Sequence, residues 1–542
     1  MAARKNRSDA MLLEVFKNIF HSIAEEMGAA LRRSAFSPNI KERRDYSCAV
    51  YNADGEVLAM GDHMPVHLGS MPASVAAARQ SLSLSLGDMA LLNDPFAGGT
   101  HLPDLTLVAP VFLSRETEPH FFVASRAHHA DIGGALAGSM GPAREIYQEG
   151  LRIPPVKIFR HGKIENDVLR LLLANVRTPV EREGDLAAQI ASCRLGERRL
   201  REIVAKYTAK TTDTYAAYLL DYSEKMMRAE LRSLRPGRYR AEDFLDSDGT
   251  NAVPLRIRVS VHIARDSAVV DFNGSAPQCA GNINAVEAIA VSSVYYVFRS
   301  LLNEDVPATS GLLRPITVIA PSGTIVNAAP PAAVAGGNVE TSQRMVDALL
   351  RALAAAAAAR IPAASQGTMN NLTFGGHDPR RNNQPFTYYE TIAGGCGGSA
   401  LHDGPSAAHS HMTNSWNTPT EVLEEAYPVR VKRYAIRSGS GGGGKHRGGD
   451  GIIRELQFLA PVEVGLLTDR RAVGPYGLKG GEDGSPGRST FHQGKSVKTL
   501  PAKCSFAADA GDILRIETPG GGGWGTLPPK QKLRARRRKR SR

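Results

Sequence analysis

Apolar residues near the N-terminus recur every three or four positions, the spacing of one helix face. They predict a long amphipathic helix, with the apolar side chains of Leu12, Phe16, Ile19, Ile23, Met27 and Leu31 on its buried face. Two apolar runs follow, YSCAVYN and EVLAMG, separated by the turn sequence ADG. This pattern predicts a β-hairpin.

Two more apolar runs, joined by a short polar loop, predict paired strands at 105–112 and 120–127. Arg- and Glu-rich sequence over roughly 164–233 predicts helices, which the sequence LRPG at 234–237 ends. The runs LRIRVSVHI, SAVVDF and ITVIA predict further strands before residue 330, around a helix near 284–302. An amphipathic helix is predicted at 343–360.

Short strands alternate with glycine-rich turns from about 436 to 528. Because helices and strands mix without a regular βαβ alternation, we expect an α+β fold with several lobes. The predicted regions are 1–235 with a candidate metal site, 236–435 of mixed α/β structure, 436–528 as a β-rich lobe, and a disordered basic tail at 529–542. Many of the 53 glycines come in runs, which indicates close backbone packing or loops beside a ligand.

The net charge of +12 suggests nucleic-acid binding at first, but its distribution argues against it. Nine basic residues lie in the last 13 positions with no acid among them, so the rest of the chain carries about +3. We therefore expect no specific nucleic-acid partner. The tail is interpreted as a solvated appendage.

Five scattered cysteines with no C-x-x-C pair argue against a disulfide framework and a cysteine zinc site. The first apolar stretch is interrupted by Glu14 and Lys17, so it is not a secretory signal. The most apolar stretch, 349–364, contains two arginines and is too short to span a bilayer. The sequence therefore predicts a cytoplasmic protein without a membrane partner.

The strongest cluster of chemically competent residues lies in NDPFAGGTHLPD and ASRAHHADIGG. His101 and Asp104 precede the first strand of the predicted pair, and His128 and His129 follow the second. Antiparallel pairing brings these strand ends together, so His101, Asp104 and one of the two adjacent histidines converge. Two imidazoles and a carboxylate leave open positions, as a catalytic divalent metal requires. The alternative is a hydrogen-bonded sheet end without a metal.

Two nearby carboxylates, Asp94 and Asp131, are candidate catalytic residues that would orient the imidazoles. A separate run, GSGGGGKH at 439–446, satisfies the spacing of a phosphate-binding loop. It lacks the Ser or Thr that would hold magnesium, and strand-like sequence follows it instead of a helix. The run is therefore interpreted as a packing or substrate-contact loop. Cys396 is interpreted as a small residue in a glycine turn, not as a nucleophile.

At this point the sequence resembles the hydantoinase B/oxoprolinase family, over about residues 35 to 525. The matching stretches are IKERRDYSCAVYNADG, MPVHLGSMP, GDMALLNDPFAGGTHLPDLTLVAPVF, HHADIGG, GGNVETSQRMVDAL, HMTNSWNTPTEVLE and KHRGGDG. The resemblance implies a hetero-oligomer with a hydantoinase A-type subunit that uses ATP to activate the substrate carbonyl. Family members include N-methylhydantoinases, 5-oxoprolinases and acetone or acetophenone carboxylases.

In the acetone carboxylases the equivalent subunit carries manganese on two histidines and an aspartate. The resemblance places these ligands at His101, Asp104 and His128, with His129 as the competitor for the last place. Manganese is the expected metal, and zinc and iron are alternatives. The expected activity is ATP-dependent hydrolysis of a small cyclic amide, such as N-methylhydantoin or 5-oxoproline. Two alternatives stay open: a subunit of a ketone carboxylase, and a non-catalytic scaffold for the ATP-using partner.

Overall fold

The computed structural model describes residues 2–113, 117–303 and 305–527. The helices are α1 (Ala2–Ser34), α2 (Pro38–Lys41), α3 (Met71–Ser81), α4 (Asn166–Ala174), α5 (Pro179–Tyr207), α6 (Ala209–Ser233), α7 (Glu287–Ser300), α8 (Ser342–Leu353) and α9 (Thr420–Ala426). The strands are β1 (Tyr46–Asn52), β2 (Val57–Met60), β3 (Met89–Leu92), β4 (Asp104–Val111), β5 (Phe121–His128), β6 (Val156–Arg160), β7 (Lys163–Ile164), β8 (Gly237–Leu245), β9 (Leu255–Ile263), β10 (Ala268–Asp271), β11 (Ile316–Ile319), β12 (Asn371–Asp378), β13 (Gln384–Glu390), β14 (Val429–Arg437), β15 (Gly451–Phe458), β16 (Val462–Leu467), β17 (Arg488–Gln493), β18 (Ser496–Thr499), β19 (Lys503–Ala508) and β20 (Ile513–Glu517). This mixture confirms the predicted α+β class.

The N-terminal half is built on a seven-stranded antiparallel sheet in the order β2-β1-β5-β4-β3-β6-β7. Both predicted strand pairs are confirmed, β1 with β2 and β4 with β5. Helix α5 packs against one face of β4 and β5, and α3 packs against the other. Because both faces are covered, every residue of β4 and β5 is buried, and most of these residues are apolar.

The apolar stripe of the N-terminal helix is also confirmed. Phe16, Ile23, Met27 and Leu31 of α1 are each at most 2% exposed and belong to the main hydrophobic core. The helices predicted over 164–233 are α4, α5 and α6. At about 25 cal/mol per Å² of apolar surface removed from water, such a stripe outweighs the weak intrinsic preference of any one residue.

One predicted helix was too long. The helix expected at 343–360 is α8, which ends at Leu353. The alanines that follow offer no large side chain to extend its buried face. Farther on, the guanidinium of Arg360 binds the carboxylate of Glu230 on α6 at 2.7 Å, which holds the chain in a turn.

Three smaller sheets complete the molecule, in the orders β11-β10-β9-β8, β13-β12-β16-β19 and β14-β15-β20-β17-β18. One hydrophobic cluster joins the first of these to the N-terminal sheet, and a second cluster fills the space between the last two. The division into regions 1–235, 236–435 and 436–528 stays a prediction, and the tail at 529–542 lies outside the described residues. No helix in the described ranges is both long and apolar enough to cross a bilayer.

The predicted close packing of glycine runs is confirmed by backbone-to-backbone contacts. A Cβ atom on Gly448 would lie 1.9 Å from the carbonyl oxygen of Gly521, and one on Gly521 would lie 2.0 Å from that of Cys396. The backbone N–H of Gly449 donates to Cys396 and that of Gly521 donates to Gly449. Any side chain at these positions would force the segments apart, which explains the glycine runs.

A buried group of ion pairs links the central sheet to the C-terminal strands. The carboxylate of Asp469 accepts bonds from Arg344 at 2.7 Å and from Lys503 at 2.8 Å. Arg470 bridges Asp243 at 2.8 Å and Asp347 at 2.9 Å. Burial favours the neutral form of Asp469, but these cations outweigh it and lower its pKa to about 2. The charges therefore persist inside the protein and tie the two parts together.

Candidate metal centre

The centre of the site is built by the register of one strand pair. In the antiparallel pairing of β4 with β5, Asp104 lies directly opposite His128. The backbone N–H of Asp104 donates to the carbonyl of His101. This tight turn brings His101 next to Asp104 and His128. Nitrogen and oxygen atoms of His101, Asp104 and His128 consequently lie within 4.8 Å of one another.

The Asp104 carboxylate is the hub of the cluster. Its Oδ1 lies 3.1 Å from Nε2 of His101 and 3.6 Å from Nδ1 of His128. Its Oδ2 accepts a hydrogen bond from the Thr100 hydroxyl at 2.7 Å and lies 3.4 Å from Nε2 of His67. The three clustered side chains are each at most 2% exposed, so the whole arrangement is shielded from water.

Burial and neighbouring groups set the protonation states. Burial by itself would raise the pKa of Asp104, but the imidazoles of His101, His128 and His67 hold that pKa well below its usual range. Burial lowers the pKa values of His128 and His67 and so favours their neutral forms. A charged Asp104 carboxylate beside a neutral His128 imidazole is the state in which these two side chains bind a metal.

Unpartnered polar atoms test whether a metal fits this cluster. Nε2 of His128 is buried and has no hydrogen-bond partner among the described residues. Nδ1 of His101 is likewise buried without a partner among these residues, while its Nε2 lies 3.1 Å from both the amide Nδ2 of Asn338 and Oδ1 of Asp104. A buried unsatisfied nitrogen costs about 1–3 kcal/mol. The N,N,O donor set therefore fits a divalent manganese, iron or zinc ion with positions left open.

The two adjacent histidines point to opposite sides of the strand end. His128 faces Asp104, whereas Nε2 of His129 lies 2.9 Å from Oε1 of Gln189 on α5. Successive side chains of a strand alternate between its faces, so only one of the pair can join the cluster. The geometry therefore selects His128 and leaves His129 as a residue of the helix contact.

The contacts of Asp94 and Asp131 differ from those predicted. Asp94 pairs with Arg152 at 2.8 Å and accepts a bond from the backbone of Phe96. Asp131 pairs with Arg177 at 2.9 Å and also accepts that residue's backbone N–H. Each carboxylate thus accepts bonds from an arginine side chain and from a backbone N–H, and these contacts are not with the imidazoles.

Four residues that the sequence did not single out contact the cluster instead. His67, Thr100 and Asn338 touch it directly, and the ring of Tyr389 stacks on His128 with centroids 4.4 Å apart and planes at 12°. His67 and Asn338 do lie in stretches that resemble the family, which was the available signal. No sequence signal pointed to Tyr389, because its strand β13 was not predicted.

Asn338 reaches the cluster from a single turn of π-helix, Gly337–Thr341, that precedes α8. Such turns insert an extra residue into a helix and occur often at functional sites. Two hydrogen bonds fix the position of Tyr389. Its hydroxyl donates to Oδ1 of Asn371 at 2.9 Å, and the amide of Asn371 donates to Glu340 at 2.8 Å. The imidazole of His128 is therefore supported by residues far away in sequence.

The glycine-rich run at 439–446 is not available to cradle phosphate. Several of its backbone N–H groups are already used, since Gly442 donates to Gly521, Lys445 to Gly525 and His446 to Trp524. The strand β15, not a helix, follows it. This agrees with the interpretation of the run as a packing loop. Burial raises the pKa of Cys396 to about 11, which argues against a thiolate nucleophile there.

The fold and the site together define a mixed α/β protein with a buried His–Asp–His cluster at the end of an antiparallel strand pair. The chain belongs to the hydantoinase B/oxoprolinase family, whose profile matches residues 9–527. It is similar to 5-oxoprolinase 1 of Arabidopsis thaliana, with 38% identity over 552 residues. That match covers 96% of this chain and 42% of the relative, so the relative has a large additional part.

Two solved structures share the fold. The ATP-dependent caprolactamase from Pseudomonas jessenii matches with a TM-score of 0.89 and 30% identity, over 98% of this chain and 94% of that one. Acetone carboxylase in its nucleotide-free structure matches with a TM-score of 0.86 and 20% identity, over 95% of this chain and 76% of that one. The second likeness is one of fold alone.

Proposed function

We propose that this chain is the metal-binding subunit of an ATP-dependent amidohydrolase that opens small cyclic amides of the N-methylhydantoin or 5-oxoproline type. The observation that carries the proposal is the buried convergence of His101, Asp104 and His128. The family and the similarity to a 5-oxoprolinase and a caprolactamase support a cyclic amide as substrate. Manganese is the proposed metal, since imidazole and carboxylate ligands in an open site suit it.

We further propose that ATP is used by a hydantoinase A-type partner and not by this chain. Two observations support this division. The phosphate-loop lookalike has no free N–H groups at Gly442, Lys445 and His446, and the chain spans 42% of the length of its 5-oxoprolinase relative. The partner transfers a phosphoryl group to the amide oxygen. Water then adds to the amide carbon, and the C–N bond breaks with a proton passing to nitrogen, which leaves an acyl phosphate. A second water hydrolyses this acyl phosphate to the carboxylate and free phosphate.

The residues of this chain have separate roles in that scheme. His101, Asp104 and His128 would hold the metal, which when bound supplies Lewis-acid polarisation of an oxygen atom. Asn338 and Thr100 orient the ring of His101 and the carboxylate of Asp104 through hydrogen bonds. Tyr389 covers His128 and, with the surrounding core, keeps bulk water away from the cluster.

Metal analysis of purified protein tests the assignment. We expect about one divalent ion per chain in the wild type. A His101→Ala, Asp104→Ala double variant should lose it, while the exposed His377→Ala on β12 should retain it. Equal metal in the double variant and the control would refute the metal site and support the scaffold alternative.

Coexpression with the neighbouring ATP-using subunit tests the reaction. The complex should hydrolyse ATP in step with ring opening of hydantoins, 5-oxoproline or caprolactam. Consumption of ketone and bicarbonate, with no ring opening, would replace the hydrolase by the carboxylase alternative. If a complex that retains its metal catalysed neither reaction, the catalytic proposal would have no support.

A further inference from the structure

A circuit of contacts surrounds one side of the metal cluster and brings in residues that the proposed reaction has not used. The ring of Tyr389 stacks on His128, and the backbone carbonyl of Tyr389 accepts a hydrogen bond from Arg43 at 2.8 Å. The pKa of His409 is lowered by burial and by the positive charge of Arg43. His409 is followed by Ser410, the next member of the circuit.

The circuit closes through helix α8 and the π-turn. Nε2 of Gln343 donates to the carbonyl of Ser410 at 3.0 Å. Gln343 lies five residues after Asn338, whose amide contacts His101, and His101 lies 5.0 Å from His128 between ring centroids. The loop that carries His409 also reaches the other side of the cluster, because the N–H of Val66 donates to Met412 beside His67.

Several polar atoms on this circuit are buried yet have no hydrogen-bond partner in the part of the chain that the structure describes. They are Oδ1 of Asn338, Oε1 of Gln343, Oγ of Ser410 and both ring nitrogens of His409. Native proteins leave few buried polar atoms unpaired, because each costs about 1–3 kcal/mol. These five atoms belong to residues on neighbouring segments next to a candidate metal centre, where a ligand with both donors and acceptors would satisfy them.

We propose that Asn338, Gln343, His409 and Ser410 line a polar pocket beside the metal cluster that binds the N–H and C=O edge of a cyclic amide. The inference rests on the proposed function and adds the residues that select the substrate class. Its physical basis is that the four side chains offer both hydrogen-bond donors and hydrogen-bond acceptors. A cyclic amide has a carbonyl that accepts and an N–H that donates, so it can bond to both kinds of group.

The orientation of Gln343 makes the selection specific. Its amide nitrogen donates to a backbone carbonyl, so a flipped side chain would set two oxygens against each other, and Oε1 must face the pocket. An amide oxygen only accepts. A ketone or a carboxylate offers no donor to this atom, whereas a ring N–H does. The pocket therefore favours an amide over a ketone.

The remaining members supply the complementary donors. Burial, together with the charge of Arg43, lowers the pKa of His409 to about 3, so its imidazole is neutral and offers one donor and one acceptor. The Ser410 hydroxyl can donate to a carbonyl oxygen. The guanidinium of Arg43 is 0% exposed, and its terminal nitrogens already bind Asn39, Tyr389 and Thr391. Arg43 therefore holds the surrounding residues in place and does not bind the amide of the ligand.

Binding measurements on the purified, manganese-loaded full chain test the pocket without relying on turnover. The probes are 2-pyrrolidone and cyclopentanone, which have the same ring size and differ in the N–H. We expect 2-pyrrolidone to bind more tightly to the wild type. The Gln343→Met variant, which keeps the side-chain length, should weaken 2-pyrrolidone binding about tenfold and leave cyclopentanone unchanged, because one hydrogen bond is lost.

The matched control is Gln384→Met, an exposed glutamine on β13, which should bind both probes as the wild type does. Ser410→Ala is a second variant in case Gln343→Met does not fold, and it should also weaken 2-pyrrolidone selectively. Equal binding of both probes by the wild type, or an equal loss of both in either variant, would overturn the pocket. These results are separate from metal content and ring opening, which test the proposed function.

Discussion

The pH dependence of stability should reveal His409 as a half-buried histidine that stays neutral in the folded protein. Its ring nitrogens are buried without partners among the described residues, and its pKa is lowered to about 3 by burial and by Arg43. In the unfolded chain a histidine has a pKa of about 6.5. As pH falls below that value, the unfolded state takes up a proton that the folded state does not, so folding loses free energy.

The size of the effect follows from the two pKa values. Each pH unit between them costs about 1.4 kcal/mol, so moving from about pH 8 to about pH 5 should remove about 2 kcal/mol through this residue. A His409→Asn variant has no proton to bind and should escape that loss. Urea unfolding of wild type and variant at both pH values isolates the contribution, because the other histidines titrate in both proteins.

The matched control is His377→Asn, an exposed position on β12 that should follow the wild type. If His409→Asn lost stability between the two pH values by as much as the wild type, His409 would have to be protonated or solvated in the folded protein. The neutral pocket inferred above would then lose one of its supports.

Three further outcomes follow from the structure. His128→Ala should abolish metal binding in calorimetric titration, whereas His129→Ala should keep the metal and lower thermal stability, because it removes only the contact with Gln189; the reverse pattern would exchange their roles. Lys503→Met should cost about 3–5 kcal/mol in urea unfolding, since it leaves the Asp469 carboxylate under-compensated, and an unchanged midpoint would contradict the buried ion pairs. The isolated chain should not hydrolyse ATP in a phosphate-release assay; robust turnover abolished by Lys445→Ala would refute the division of labour.

The metal cluster was within reach of sequence reasoning because its three residues depend on local structure. Two apolar runs joined by a short loop predict an antiparallel pair, and the ends of such a pair are neighbours by construction. His101 and Asp104 at one end and His128 at the other therefore had to meet. The choice between His128 and His129 was not local, because it depends on which face α5 covers.

The assignments of Asp94 and Asp131 show where proximity in sequence is misleading. Both are close to the cluster along the chain, yet Asp94 binds Arg152 and the nearby N–H of Phe96, and Asp131 binds the side chain and the backbone N–H of Arg177. Short polar side chains in turns bond most easily to the nearest backbone donors. The residues that do support the imidazoles come from other segments.

By itself, the sequence determined the elements with strong periodicity, the mixed fold class, the backbone packing of the glycine runs, the family, and the convergence of His101 and Asp104 with one of two adjacent histidines. Each of these is encoded in residues close together or in a characteristic run. Only the tertiary structure decided which remote side chains complete the site. Asn338 lies 237 positions from His101, and Tyr389 stacks on His128 from another segment. The reason is physical: their placement depends on how helices and sheets pack over long range, and no local pattern records that packing.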